Sequence, residues 1–485
     1  MISSNLREEK DFLGVVNIPS TALYGIHSFR ARSNFPDTTV FHPEWYKALG
    51  SVKKACYQTA REFYKKAGEK ISLNDVHFRI IEDDVLDKLI LAATEIEKGN
   101  HLSEFIVPAV SGGAGTSINL NINEIITNRA LQLLNEAPGN YDKIDPIEKA
   151  NIFQSTNDVI PTSLKIAVIR LLEPLEESVN RLRQQTERLE RQHQQHLRKA
   201  YTQMQEAVPS SFGRLFGTYS DALSRDWWRI SKCFERIKVV NLGGSAIGSG
   251  ITVPRFFMME VVRRLQENTQ LPITRADNLF DATSNLDSLV EVHGILKALA
   301  VNLEKMVSDI RLLSADVHGT KELELPNKQV GSSIMPGKVN PVIPEFVISS
   351  SHKVYANDML IAGLCAQGCL ELNAYIPTIG HALLESLKLL IASANTLNEN
   401  LFQDLNLHID KASESLYSSP VVATALVPHL GYNKCSEIAL AMKNTSSTIF
   451  EVNDAMKFMD NEKLRELLKP ENLLKGGFTI SDISK

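Results

Sequence analysis

The run VGSSIMPGKVNPVIPE, residues 330 to 345, gathers two serines, a lysine, an asparagine, two glycines and three prolines directly after a long leucine-rich stretch. Gly331 and Gly337 permit backbone with positive φ, and the prolines stop helix propagation. Ser332, Ser333, Lys338 and Asn340 supply hydroxyls, amide donors and one positive charge, a set suited to an anionic small molecule. The apolar residues Ile334, Met335, Val339, Val342 and Ile343 are costly on a free surface loop, which implies partial burial or a lid that closes.

Two further polar segments adjoin helix starts. In SGGAGTSINLNINEIITNRAL (111–131) a Gly-rich turn leads through Thr116 and Ser117 into a helix carrying Asn119 and Asn123 one turn apart. Free N–H groups and hydroxyls at such a start make an anion site, and N-capping by Thr116 or Ser117 explains the same residues. The segment lacks the GK[ST] ending of a phosphate loop, so nucleotide binding is not expected. In FQSTNDVIPTSLKIA, Ser155, Thr156 and Asn157 precede a long helix and can serve a carboxylate or an amine; the plainer reading is an N-cap at Asn157 or Asp158. His193 and His196, in RQHQQHLRK, read as solvated helix residues, and Trp227 and Trp228 as core or interface.

These segments lie between helices with continuous apolar seams. Leu289, Val292, Leu296, Leu299, Leu303, Met306, Ile310, Leu313 and Val317 alternate in threes and fours, as do Leu164, Val168, Leu171, Leu175, Val179, Leu182 and Leu189, with Pro174 inside as an expected kink. Leu383, Leu387, Leu390, Ala394, Leu397 and Leu401 form a third. Little sustained period-2 alternation occurs, so the expected fold is all-α, a three-part chain: a mixed N-terminal part at 1–150, a central long-helix bundle at 151–400 carrying the loop at 330–345, and a small C-terminal part at 401–485. Seams this long usually bury more than one side, which implies an oligomer.

With 485 residues, 43% hydrophobic, 22% charged and a formal charge of −5, the chain has an ordinary globular composition without blocks of like charge. Nucleic acid and anionic membrane are therefore not expected partners. The start MISSNLREEKDFLG has no signal-peptide pattern and no apolar run nears a membrane span, so a cytoplasmic location is expected. Five scattered cysteines without a CxxC pair imply reduced, mostly buried thiols rather than disulfides or a zinc site.

GSSIMPGKVNP resembles the signature loop of the fumarase/aspartase superfamily, homotetrameric lyases that eliminate ammonia, water or an amine from succinyl-type substrates. The likeness extends, in the family's order, to LGVVNIPSTALYGIHSFRA, GGAGTSINLNINEIITNRAL, QSTNDVIPTSLKIA, VNLGGSAIGSGI and LELNAYIPTIGHALLESL. It implies a multi-helix core in a homotetramer, sites shared between subunits, no cofactor and no metal. Position by position, Ser332 would be the base that takes a proton from the carbon beside one carboxylate. Lys338 and Asn340 would hold a carboxylate, Thr116 would contact one too, and Ser155, Thr156 and Asn157 would surround the other carboxylate and the leaving amine. Arg30 and Thr202 match substrate-binding positions, with Ser333 and Glu345 in support. The threonine of STN and the run NPVIPE resemble the aspartase branch more than class II fumarases. That implies a carbon–nitrogen lyase acting on a dicarboxylate amino acid, L-aspartate to fumarate and ammonia, with a lyase for a modified aspartate or another succinyl compound, a fumarase, and a catalytically silent structural relative as the alternatives.

The chemistry suits such a set. A proton α to a carboxylate is weakly acidic, and the enediolate left on its removal needs fixed donors and positive charge. A serine acts as base only if its alkoxide is stabilised, which backbone N–H groups of a Gly-rich loop can do. One departure stands out: in YTQMQEA, Gln203 occupies the place of a family histidine that hydrogen-bonds a substrate carboxylate and pairs with the glutamate matching Glu345. A neutral amide still donates but carries no charge, so weaker dianion binding or a shifted substrate is expected.

Overall fold

The structure, a computed structural model, describes residues 6–70, 80–317 and 321–483. Helices dominate, as expected for an all-α chain, and among the described residues strands occur only in two-stranded pairs. In chain order come β1 (Leu6–Asp11) and β2 (Gly14–Pro19), an antiparallel hairpin, then α1 (Ile26–Asn34), α2 (Pro43–Gly68), α3 (Asp83–Glu97), α4 (Thr116–Leu133) and α5 (Thr156–Gln192). A second hairpin, β3 (Leu197–Thr202) and β4 (Gln205–Ser211), leads into α6 (Phe212–Ile237), α7 (Arg255–Thr269), α8 (Leu279–Ser284), α9 (Asp287–Leu313), α10 (Val342–Ala366) and α11 (Ile376–Thr396). Shorter helices fill the C-terminal region.

The chain divides into two compact units. Unit 1 comprises 1–176, 229–298 and 352–390; unit 2 comprises 177–228, 299–351 and 391–485. All five passages between them fall inside helices, in α5, α6, α9, α10 and α11. In unit 1, α2 starts at Pro43, where a missing N–H costs nothing, and buries Trp45, Tyr46, Leu49, Val52, Cys56 and Tyr57 along one stripe. In unit 2, Leu416, Val422, Leu426, Ile438, Ile449 and Leu464 form an apolar cluster with Leu197 of β3.

The three seams are buried where they lie in helix. From Leu289 to Leu313 and from Leu164 to Leu189 every seam residue is buried, whereas Val317 lies past the end of α9 and is exposed. Helix α5 runs on through both Pro161 and Pro174.

Two readings need correction. His193 is not solvated and not helical: α5 ends at Gln192, and the buried His193 ring shares a hydrogen bond with His196, Nδ1 to Nδ1 at 2.8 Å. The histidines sit in the turn that leads into β3, where His193 O accepts from Gly213 N and His196 O from Phe212 N. Trp227 and Trp228 are exposed on α6, which removes the core half of the core-or-interface reading and does not test the other half.

Of the cysteines, Cys56, Cys233 and Cys435 are buried, and all five are free thiols. Among the described residues no helix is long and apolar enough to cross a membrane.

Candidate active site

The signature loop of unit 2 is a closed neck carrying an open tip. Gly331 N–H donates to Lys338 O at 3.0 Å, and the Asn340 side-chain amide donates to Gly331 O. A Cβ on Gly331 would collide with the Lys338 carbonyl and come within 2.9 Å of Asn340 N, so only glycine closes the neck. At the tip Gly337 has φ +78°, and Ser332 Oγ accepts two backbone N–H groups, from Ile334 at 3.2 Å and Met335 at 3.0 Å. Those donors are placed to stabilise negative charge on the serine oxygen. Ser333 and Lys338 are exposed, and Ile334 is 84% exposed, so within this chain the apolar tip is not partly buried. Helix α10 begins two residues after Asn340; near its start Glu345 faces Arg311 at 3.8 Å, an exposed and weak ion pair.

Thr202 and Gln203 lie in the other functional part of unit 2, the β3–β4 hairpin. Thr202 pairs with Gln205 across a two-residue turn made by Gln203 (φ +50°) and Met204 (φ +61°), both left-handed as tight hairpin turns require. Gln203 is exposed at that tip. The hairpin is anchored behind it: Glu206 accepts from Lys199 and from Ser419 Oγ. Burial works against the Glu206 carboxylate, but these two hydrogen bonds outweigh it and hold its pKa below the ordinary value.

Unit 1 holds the remaining candidates. The turn before α4 places Gly113, Ala114 and Gly115 all at positive φ, with Ala114 N–H bound to Ala374 O at 3.1 Å. Gly115 fits against Ile160 of α5, where a Cβ would come within 2.9 Å of its side chain. Gly115 is itself the N-cap, and no side chain caps this helix; Thr116 is its first residue and exposed. The capping reading of Thr116 and Ser117 therefore does not hold, and the Thr116 hydroxyl is presented at a helix start.

At the head of α5 the cap is Ser155, not Asn157 or Asp158. Ser155 Oγ accepts from Asn157 N at 3.2 Å, while Asp158, three residues on, reaches back to Ser155 N at 3.0 Å, a reciprocal box. Asp158 is fully buried and also accepts from Gly243 N (3.1 Å) and Ser245 N (3.0 Å); burial raises its pKa to about 6 despite these donors and nearby Lys53. Asn157 Nδ2 donates to Ala246 O at 2.6 Å, tying the polar run to the glycine-rich stretch 243–250. Thr156 Oγ1 accepts from Asn119 Nδ2 at 3.3 Å. The hydroxyls of Ser155 and Thr156 both accept from the protein, which leaves their O–H protons for an incoming anion.

Arg30, on α1, forms a bidentate pair with Asp11 at 2.8 and 2.9 Å and also reaches Gly14 O at 3.1 Å. That pairing holds the Asp11 carboxyl below its ordinary pKa. Helix α1 is fixed in turn by Glu124 of α4, whose buried carboxylate accepts the N–H groups of Gly25, His27 and Ser28.

With this geometry in hand, comparison with known proteins is decisive. A family model described as "Lyase" matches residues 14–356, and one described as "Fumarase C C-terminus" matches 422–475. The chain belongs to the fumarase/aspartase superfamily. Curated superfamily relatives include aspartate ammonia-lyase from Bacillus sp, 34% identical over 98% of this chain and 99% of that one, and aspartate ammonia-lyase from Escherichia coli K12, 34% identical over 98% and 97%. Among solved structures, the fumarate lyase:delta crystallin of Brucella melitensis, bound to cobalt, superimposes with a TM-score of 0.88 at 33% identity, covering 97% of this chain and 99% of that one. A class II fumarase from Schistosoma mansoni gives 0.86 at 25% identity, covering 97% and 100%. These likenesses support a lyase.

Each superfamily segment is a formed element; Thr116, Ser333 and Lys338 are displayed, whereas Arg30, Asn157 and Asn340 are engaged within the chain. Thr116 and the Ser155–Asn157 run belong to unit 1 with Arg30; Ser332, Ser333, Lys338, Asn340, Glu345, Thr202 and Gln203 belong to unit 2. The sequence reading missed Lys53, Glu124, Asn151 and Asn241, which hold the unit 1 segments in place, and named Asp158 only as a cap. Lys53 had a signal, as a lysine inside the apolar stripe of α2 between Leu49, Val52 and Cys56.

Proposed function

We propose that the protein catalyses reversible elimination of ammonia from L-aspartate to give fumarate, without a cofactor. The observation that carries the reading is the pair of backbone N–H groups on Ser332 Oγ, inside a glycine-closed loop that also bears Lys338 and Asn340. The serine alkoxide takes a C3 proton of the substrate, and the electron pair moves into the adjacent carboxylate to give an enediolate. Lys338 and the second Asn340 amide hydrogen stabilise that charge. The pair then returns to form the C2–C3 double bond as the C–N bond breaks, and the amine leaves as ammonia with the bonding electrons. Ser332 afterwards loses its acquired proton to solvent or ammonia.

Thr116, Ser155, Thr156 and Asn157 bind the second carboxylate and the departing amine in this scheme, with Ser333, Thr202 and Arg30 in support. A homotetramer with sites shared between subunits accounts for two features: the exposed apolar tip of the loop, and the exposed Phe346, Met359 and Leu360 on α10, an otherwise apolar helix. A cytoplasmic location goes with this reading.

A second reading, a lyase for a modified aspartate or another succinyl compound, is favoured by one feature: Gln203 at the hairpin tip, a neutral amide where a titratable ring is usual in the family. The test is fumarate formation from L-aspartate, followed by ultraviolet absorbance, with Ser332→Ala in parallel. Turnover abolished in the variant is expected. Wild-type protein that is folded and tetrameric yet inert on aspartate would favour the second reading; a variant as active as wild type would remove Ser332 as the base.

A further inference from the structure

Lys53 is fully buried in α2 and pairs with no carboxylate among the described residues. Its ammonium donates to Asn151 Oδ1 at 3.1 Å. The same oxygen accepts from Asn119 Nδ2 at 3.1 Å and from Asn123 Nδ2 at 3.2 Å, while Asn151 Nδ2 donates to Gln154 O at 3.1 Å. Asn119 Nδ2 also donates to Thr156 Oγ1.

The directions of these bonds are linked. Each asparagine amide has a donor end and an acceptor end and can be reversed, and a threonine hydroxyl both donates and accepts. An ammonium only donates. Lys53, with the Gln154 carbonyl on the far side of the amide, therefore turns the Asn151 oxygen inward, which draws the amino ends of Asn119 and Asn123 to that oxygen. Asn119 then offers N–H, not C=O, to Thr156. The orientation has a cost, since Asn119 Oδ1 and Asn123 Oδ1 are buried without a hydrogen-bond partner among the described residues. An arrangement free to reverse would relieve that cost; the two groups in the cluster that cannot reverse are the Lys53 ammonium on one side of Asn151 and the Gln154 carbonyl on the other.

We propose that Lys53 is a positioning residue for the reaction: through Asn151 and Asn119 it obliges the Thr156 hydroxyl to accept from the protein and so to donate to the substrate. The inference rests on the assignment of Thr156 to the substrate site. Burial is the main influence on Lys53 and lowers its pKa to about 7, the buried Cys56 thiol and Asp158 acting in the opposite sense, so the donor-only ammonium on which the relay depends is the prevailing form below about pH 7, where the relay is to be tested.

A double-mutant cycle tests the relay, with kcat/KM for L-aspartate measured in wild type, Lys53→Met, Thr156→Val and the double variant. Each single change is expected to cost about tenfold or more. The double variant is expected to match Thr156→Val within about twofold, because Lys53 acts through a hydroxyl that is already gone. Losses that multiply would assign Lys53 a general structural role and overturn the proposal. Should Lys53→Met fail to fold, Asn119→Leu enters the same cycle one link later, with the same criterion. If wild type does not turn over aspartate, succinate dissociation constants for the same proteins separate the questions. Binding with a non-additive cycle would sustain the relay and refute only the ammonia-lyase reading, whereas absent binding or additive losses would overturn the relay.

Discussion

Replacing Gly331 by alanine tests whether the neck of the signature loop sets the position of the base. The new methyl group would run into the Lys338 carbonyl and crowd Asn340 N, both backbone, so it cannot be absorbed by a side-chain rotation. The neck must open, which breaks the Gly331 N to Lys338 O bond of 3.0 Å and the Asn340 amide bond to Gly331 O. Two hydrogen bonds at roughly 0.5–1.5 kcal/mol each come to about 1–3 kcal/mol, or roughly a 5- to 150-fold loss in kcat/KM if the closed loop is the reactive form. The loss should fall mainly on kcat, because in the proposed reaction Ser332 would be displaced from the proton it takes. Thermal unfolding should barely move, since the loop is half-buried or exposed and lies outside the apolar core. A Gly331→Ala enzyme within twofold of wild type in kcat/KM would refute the argument that this neck positions the base.

The buried Asp158 gives a pH prediction. Its folded carboxyl keeps its proton up to about pH 6, against an ordinary value of 3.8, so the folded state binds more protons than the unfolded state between those limits. Asp158 therefore makes the protein less stable as pH rises from about 4 to 6, and Asp158→Asn, which does not titrate, should gain on wild type by on the order of 2–3 kcal/mol across that window. Denaturant unfolding of both proteins at several pH values checks this, and parallel profiles would contradict it. For Gln203→His, histidine tolerates the left-handed turn, so the thermal midpoint should hold while KM for L-aspartate falls, more at pH 6 than at pH 8 as the ring takes up charge. Unchanged KM and substrate preference at both pH values would mean that position 203 does not touch the substrate.

What the sequence disclosed follows from how far each signal reaches. A seam is local: every third or fourth residue of α9 from Leu289 to Leu313 is buried because one helix presents one stripe, and the pattern stops being informative at Val317, past the last turn. The signature loop is local too, since its neck closes between residues seven to nine apart, Gly331 with Lys338 and Asn340. Caps were harder, because the runs STND and GTS each offer several capping residues. Ser155 wins at α5 through the reciprocal bond with Asp158, and Gly115 wins at α4 by its left-handed backbone rather than by a side chain. His193 was misread because helix α5 stops one residue before it. The supports of the site, Lys53 under Asn151 and Glu124 under Gly25 and Ser28, join residues about a hundred positions apart, and spacing carries no trace of such pairs.

At the loop tip Ile334 is 84% and Met335 47% exposed, and burying one such side chain is worth roughly 1.5–3 kcal/mol. A tip that only held Ser332 and Lys338 would gain solubility from polar residues at those positions, without loss to the bonds at the neck. Apolar residues there are useful only if the tip is covered in the reacting state, by closure over substrate or by a neighbouring subunit. That cover would exclude water when the enediolate forms, where excluded water strengthens the hold of Lys338 and of the N–H groups on developing charge. On this reasoning the neck fixes where Ser332 stands, and the apolar tip sets the dielectric in which it acts.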